Sequence, residues 1–173
     1  MQKTKEIIFE EAQAKDAKLI LEFFTSVLNE TDFIIADDEF IKADLLTMEA
    51  FLSYNEYGKG ICLIARMDQQ VIGLLNVNVS TQKEFQHIGD IFIAVRKSFW
   101  GQGIASTLME LMSDWVSHAG YLRRLELNVQ KRNETALALY RKFGFQIEGE
   151  KERGIKLKEG EFLDVYQMGK LID

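Results

Sequence analysis

One stretch constrains this chain more than any other: Ile93-Ala94-Val95-Arg96-Lys97-Ser98-Phe99-Trp100-Gly101-Gln102-Gly103-Ile104-Ala105. An apolar, strand-like run passes into a basic and aromatic turn, and two glycines then open a long helical segment. Backbone N–H groups at the start of a helix have no partner, and the helix dipole adds partial positive charge there. Glycine lets the main chain approach a phosphate with no Cβ in the way. The stretch therefore predicts an anion-binding turn, although a Gly-x-Gly pair before a helix also suits a plain strand-to-helix corner. It lacks the Gly-Lys-Ser/Thr ending of a nucleotide P-loop.

The periodicity around it predicts alternating strands and helices. Residues 6–13 read as a first strand. Leu19, Ile20, Phe23, Phe24, Val27 and Leu28 fall at helical spacing and form one face. Residues 38–54 read as helical with a break near Thr47. Residues 59–67 and 71–80 pair as a hairpin around Asp68-Gln69-Gln70, with Leu75, Val77 and Val79 alternating against Asn76 and Asn78. A further strand covers 85–95, and the main helix covers 103–119. Ile104, Leu108, Leu111, Met112, Trp115 and Ala119 supply that helix's apolar stripe, and Gly120 its C-terminal cap.

The next strand alternates Leu125, Leu127 and Val129 with Glu126 and Asn128. Because it follows a crossover helix, it is expected to run parallel to the strand before it. Asn133 is placed to cap the helix that ends at Phe143, with Gly144 as its stop. Two last strands, 145–157 and 161–171, join through Lys158-Glu159-Gly160. The expectation is one α+β domain over residues 1–173.

With 173 residues, 47% of them apolar, the chain is large enough for a core and too apolar for disorder. A net charge of −6 argues against a broad nucleic-acid surface. Acidic residues gather at Glu30, Asp32, Asp37, Asp38 and Glu39. They suit either a solvated loop and helix start or a collar that attracts a cationic amine, with Glu30 and Asp37 as its substrate-facing members. The lone Cys62 lies in an apolar run and is expected to be a buried structural thiol. No Cys/His cluster has metal-ligand spacing, so no metal is expected. No segment reads as a signal peptide or a membrane span, which makes no membrane partner and a cytoplasmic location the expectation.

A second segment, Asn133-Glu134-Thr135-Ala136-Leu137-Ala138-Leu139-Tyr140-Arg141-Lys142-Phe143-Gly144-Phe145, follows a helix and a strand later. Together with Trp100-Gly101-Gln102-Gly103-Ile104-Ala105 it resembles the two signatures of the GNAT superfamily, the acetyl-CoA-dependent N-acetyltransferases. Trp100 stands where Arg or Gln often precedes the glycine pair. That variant resembles the branch holding ribosomal-protein, spermidine and small-amine acetyltransferases. The resemblance implies a mixed, mostly antiparallel sheet with helices on both faces and a parallel central strand pair that splays apart.

It also implies site residues. The pyrophosphate of acetyl-CoA is expected on the turn formed by Trp100, Gly101, Gln102, Gly103, Ile104, Ala105 and Ser106. The pantetheine arm is expected along the main chain of Ile93 and Val95, with Asn133 near its amides. Tyr140 matches the position whose hydroxyl faces the CoA sulfur and is the expected acid. The base stays open between Glu126, His87, Asp90 and a water chain. The activity implied is direct transfer of acetyl to a primary amine of a small molecule such as a polyamine or amino acid. A protein N-terminus is the alternative acceptor, and a non-catalytic acyl-CoA sensor is the rival class. Relatives of this kind make a homodimer possible.

Overall fold

The structure, a computed structural model, describes residues 4–35 and 39–173. The described residues form strands β1 (Ile7–Glu11), β2 (Ile61–Met67), β3 (Gln70–Val79), β4 (Ile88–Val95), β5 (Arg124–Gln130), β6 (Gln146–Lys156) and β7 (Phe162–Leu171). Helices are α1 (Ala17–Glu30), α2 (Glu39–Lys42), α3 (Leu45–Tyr57), α4 (Ile104–Ala119) and α5 (Glu134–Lys142). The strands make one α+β sheet in the order β1-β2-β3-β4-β5-β7-β6, mostly antiparallel, with β4–β5 as its parallel pair. Packing divides the chain into two compact units. One holds Met1–Asn78 and Phe92–His118, and the other Val79–Ile91 and Ala119–Asp173.

In the first unit β1, β2 and β3 pair antiparallel, and the β2–β3 turn places Asp68 at φ 55°. Cys62 and Ile64 lie on the face that packs against Phe23, Phe24 and Val27 of α1 and Met48 and Leu52 of α3. The other face carries Gly73, where an added Cβ would lie 2.9 Å from Ile104 Cγ2 and 3.4 Å from Leu108 Cδ1 of α4. Strand β3 is thus covered on both sides. For that reason Asn76, which alternates with the apolar residues of the strand, is only 2% exposed, while Asn78 does reach solvent.

Two further expectations shift in detail. The break between α2 and α3 falls at Asp44, whose carboxylate accepts from Thr47 N–H at 2.8 Å and caps α3, so Thr47 lies inside the helix. On α4 the buried face is Ile104, Leu108, Met109, Met112 and Val116. Leu111 is exposed, and Trp115 and Ala119 are half-buried at its flanks.

In the second unit the parallel ladder comprises Ile88–Arg124, Gly89–Leu125 and Asp90–Glu126. Strand β7 lies between β5 and β6, with Arg124–Leu171 through Gln130–Val165 in register. Leu125, Leu127 and Val129 turn inward, and α5 buries Leu137 and Tyr140. Strand β6 bulges between Lys151 and Ile155, where Arg153 takes φ 52°. Gly154 is needed in that bulge, since a Cβ there would meet Val165 Cγ2 at 2.9 Å.

Candidate active site

The turn after β4 is built by a series of directed contacts within the first unit. Arg96 ties the strand end down: its N–H donates to the Ile72 carbonyl at 2.8 Å and its Nε to the Val71 carbonyl at 2.7 Å. Since alternate strand residues direct their main-chain groups to opposite edges, Val95 and Ile93 aim theirs away from β3. Lys97–Phe99 then form a single 3-10 turn. Glu30, at the end of α1, holds that turn with one oxygen, which accepts from Lys97 N–H at 2.8 Å, while the other accepts from Ser26 Oγ of the same helix at 2.7 Å. Trp100 is exposed, yet its Nε1–H donates to the Val95 carbonyl at 2.8 Å, which folds the turn back on the strand.

Gly101 and Gly103 follow at φ 76° and 78°, the left-handed region that a side chain resists. No atom lies within 4 Å of where either Cβ would stand, so the glycines face open space. The first intrahelical bond of α4 is Thr107 N–H to the Gly103 carbonyl at 3.0 Å. The N–H groups of Ile104, Ala105 and Ser106 therefore precede the helical ladder, at the positive end of a 16-residue helix with no acidic residue in its first turn. Gln102 is exposed between the glycines. The turn is suited to a diphosphate: N–H groups ahead of the helical ladder lie beside it, no Cβ fills the space, and no carboxylate of the first turn competes.

The second unit carries the remaining candidates. Asn133 caps α5, its Oδ1 accepting from Ala136 N–H at 3.2 Å, and its amide nitrogen has no partner among the described residues. Tyr140 is buried with its ring 6.1 Å from that of Phe145. Its hydroxyl has no hydrogen-bond partner among the described residues, and burial pushes its pKa above the ordinary phenol value. Such a group keeps its proton at neutral pH.

Glu126 is half-buried, and its Oε2 accepts from Arg124 Nε at 2.9 Å. The same guanidinium donates from Nη1 to Glu148 Oε2 at 2.9 Å and from Nη2 to Glu148 Oε1. Those bonds raise the Arg124 pKa and lower that of Glu148. Gly169 makes the reach of Glu148 possible, because a Cβ there would fall 2.6 Å from Glu148 Cδ. Sequence reasoning missed Glu148 altogether, since its contact crosses β7. His87 and Asp90 are exposed, and the His87 carbonyl accepts from the N–H groups of Arg123 and Arg124.

Cys62 is fully buried, and desolvation raises its thiol pKa, which leaves it a poor nucleophile. Asp37 and Asp38 lie outside the described residues. Among the described residues, no helix is long and apolar enough to cross a membrane.

The sheet order and the glycine turn ahead of α4 agree with the acyl-transferring class of enzyme that the family match gives. The sequence model of the Acetyltransferase (GNAT) family matches residues 23–145, and the chain belongs to that family, whose acetyl donor is acetyl-CoA. A crystal structure of a GNAT-family acetyltransferase from Streptococcus pneumoniae is 42% identical, with a TM-score of 0.90 over 96% of this chain and 100% of that one. An L-amino acid N-acetyltransferase of Escherichia coli K12 is 33% identical over 109 residues, 63% of this chain and 67% of the relative. A spermidine N(1)-acetyltransferase of the same organism is 35% identical over 81 residues, 46% of this chain and 40% of the relative.

Proposed function

We propose that this chain transfers the acetyl group of acetyl-CoA directly to a primary amine of a small molecule, an amino acid or a polyamine. The observation that carries the proposal is the pair of left-handed glycines facing open space ahead of the unpaired N–H groups of α4. In this reading the N–H groups from Gly101 to Ser106 hold the pyrophosphate, with Trp100 and Gln102 completing the turn. The main chain of Ile93 and Val95 receives the pantetheine arm at the free edge of β4, and the Asn133 amide meets the pantetheine amides. Acetyl-CoA brings its own activated thioester, so the protein's part is positioning and proton management.

Tyr140 is the acid in this scheme, its neutral hydroxyl giving a proton to the departing sulfur. Water takes the proton of the incoming amine, and Glu126 is the carboxylate to test behind it, already oriented by Arg124. Glu30 acts on the turn through Lys97, which leaves Asp37 as the acidic residue proposed to attract a cationic acceptor.

The test mixes purified protein with acetyl-CoA and a panel of amino acids, polyamines and short peptides with free N-termini, and follows thiol release. Release that depends on an amino acid or polyamine is the expected result. Release with peptides alone moves the acceptor to a protein N-terminus. Tight binding of acetyl-CoA without release under any acceptor favours the sensor reading.

A further inference from the structure

One guanidinium in the second unit is shared by two carboxylates, one of them reached across an intervening strand. Arg124 and Glu126 stand two apart on β5 and so share a face of the sheet. Arg124 Nε donates to Glu126 Oε2 at 2.9 Å. Its terminal nitrogens both turn to Glu148, Nη1 to Oε2 at 2.9 Å and Nη2 to Oε1. Glu148 lies on β6, and β7 runs between β6 and β5. A paired fork of this kind fixes geometry as well as charge. It leaves Glu126 Oε1 without a partner among the described residues.

Two features of the backbone serve this contact. The β6–β7 register steps from Ile147–Met168 to Gly149–Gln167, so two residues of β6 oppose one of β7, and Glu148 sits in that bulge. Bulges re-aim a side chain and gather beside active sites. On β7, Gly169 is the partner of Glu126 and leaves the path open, since a Cβ there would stand 2.6 Å from Glu148 Cδ. An exposed ion pair contributes about 0–1 kcal/mol, too little to account for a bulge and a bare glycine on paired strands. What the arrangement does is fix a long, many-rotamer side chain so that Nε, and not a terminal nitrogen, faces Glu126. One cation shared by two carboxylates also leaves the trio with net negative charge, so Glu126 is not neutralised and can take up a proton.

We infer that Glu148 is a positioning residue: by clamping both terminal nitrogens of Arg124 it directs Nε to Glu126 Oε2 and keeps Glu126 Oε1 open for the proton of the attacking amine. The inference rests on the acetyl-transfer reading. In that step the amine nitrogen bonds to the thioester carbon and the C–S bond breaks. The amine proton passes through water to Glu126, and Tyr140 gives the sulfur its proton. Glu148 touches none of the reacting atoms. The guanidinium beside it holds its carboxyl below the usual carboxylate range, so the clamp stays ionised at neutral pH.

The test is a double-mutant cycle on kcat with Glu148→Gln, Glu126→Gln and the two combined, with thermal unfolding as the check on folding. Glu148→Gln is expected to lower kcat about fivefold, to leave KM for acetyl-CoA unchanged, and to add nothing in the Glu126→Gln background. Gly169→Ala, which keeps both carboxylates and displaces Glu148, should reproduce the fall. A fall of equal size in both backgrounds, or no fall in Glu148→Gln or Gly169→Ala, overturns the proposal. Hydrogen exchange of the Arg124 Nε–H, followed by NMR with no acceptor present, reads the clamp itself. It should quicken about fivefold in Glu148→Gln, and an unchanged rate overturns the positioning whatever the kinetics give. Absence of thiol release by the wild type with every acceptor overturns the acetyl-transfer reading and the base role of Glu126 with it, while the exchange rate still decides the clamp.

Discussion

Tyr140 holds a phenol that the fold has buried and left without a partner among the described residues. The hydroxyl is not one of the fully buried unpaired polar atoms of the described residues, which are Asn55 Nδ2 and Asn76 Oδ1, so removing it relieves no buried penalty. Tyr140→Phe is therefore expected to leave the melting temperature nearly unchanged, while lowering kcat by about a hundredfold if the hydroxyl is the acid. Calorimetric melting and a single-amine kinetic assay check both halves, and an unaltered kcat removes Tyr140 from the chemistry. Glu30 makes the opposite case. Both its oxygens are engaged, by Ser26 and by the Lys97 N–H, so it bears on the turn proposed to hold the cofactor. Glu30→Ala should raise KM for acetyl-CoA by about fivefold and leave KM for the amine alone. A rise confined to the amine would return Glu30 to the acceptor side.

Among the elements, α4 shows what sequence patterns convey and where they stop. Its length and its start after Gly103 were legible, because glycines and a long apolar period are local signals. Its buried face was not, because Leu108, Met109, Leu111, Met112, Trp115 and Val116 supply enough apolar residues for two overlapping stripes. Packing on the sheet selects Met109 and Val116 over Leu111 and Trp115. Gly73 seats the part of the stripe common to both readings, since its missing side chain admits Ile104 and Leu108. Gly73→Val should destabilise the protein by about 1–3 kcal/mol through overpacking. Because Ile104 begins α4, the same variant should also weaken acetyl-CoA binding. Urea unfolding and calorimetry with acetyl-CoA measure the two effects, and full stability would mean that α4 yields easily. The α2–α3 break was misplaced for a related reason: Asp44 caps through a hydrogen bond to Thr47 N–H, which apolar periodicity does not report.

Across the whole chain, the hairpins and the parallel β4–β5 pair followed from neighbouring signals, the turn residues at 68–70 and 158–160 and a crossover helix. The insertion of β7 between β5 and β6 had no local signal, since β5 and β7 pair over a long separation in sequence. Titration offers a probe at this same scale, because each compact unit buries one group that resists losing its proton: Cys62 in the first and Tyr140 in the second. In an unfolded chain these groups deprotonate near pH 8.5 and 10. Burial raises both in the folded state, so above those values the unfolded chain binds fewer protons than the native one. Stability must then fall as pH rises, by up to about 1.4 kcal/mol per pH unit for each group. Urea midpoints measured from pH 7 to 11 should hold level to about pH 8.5 and then decline, more steeply above pH 10. Cys62→Ala should abolish the earlier decline, and Tyr140→Phe the later one. A flat profile in the unsubstituted protein would mean that water reaches both groups in the folded state and that neither is held above its ordinary pKa.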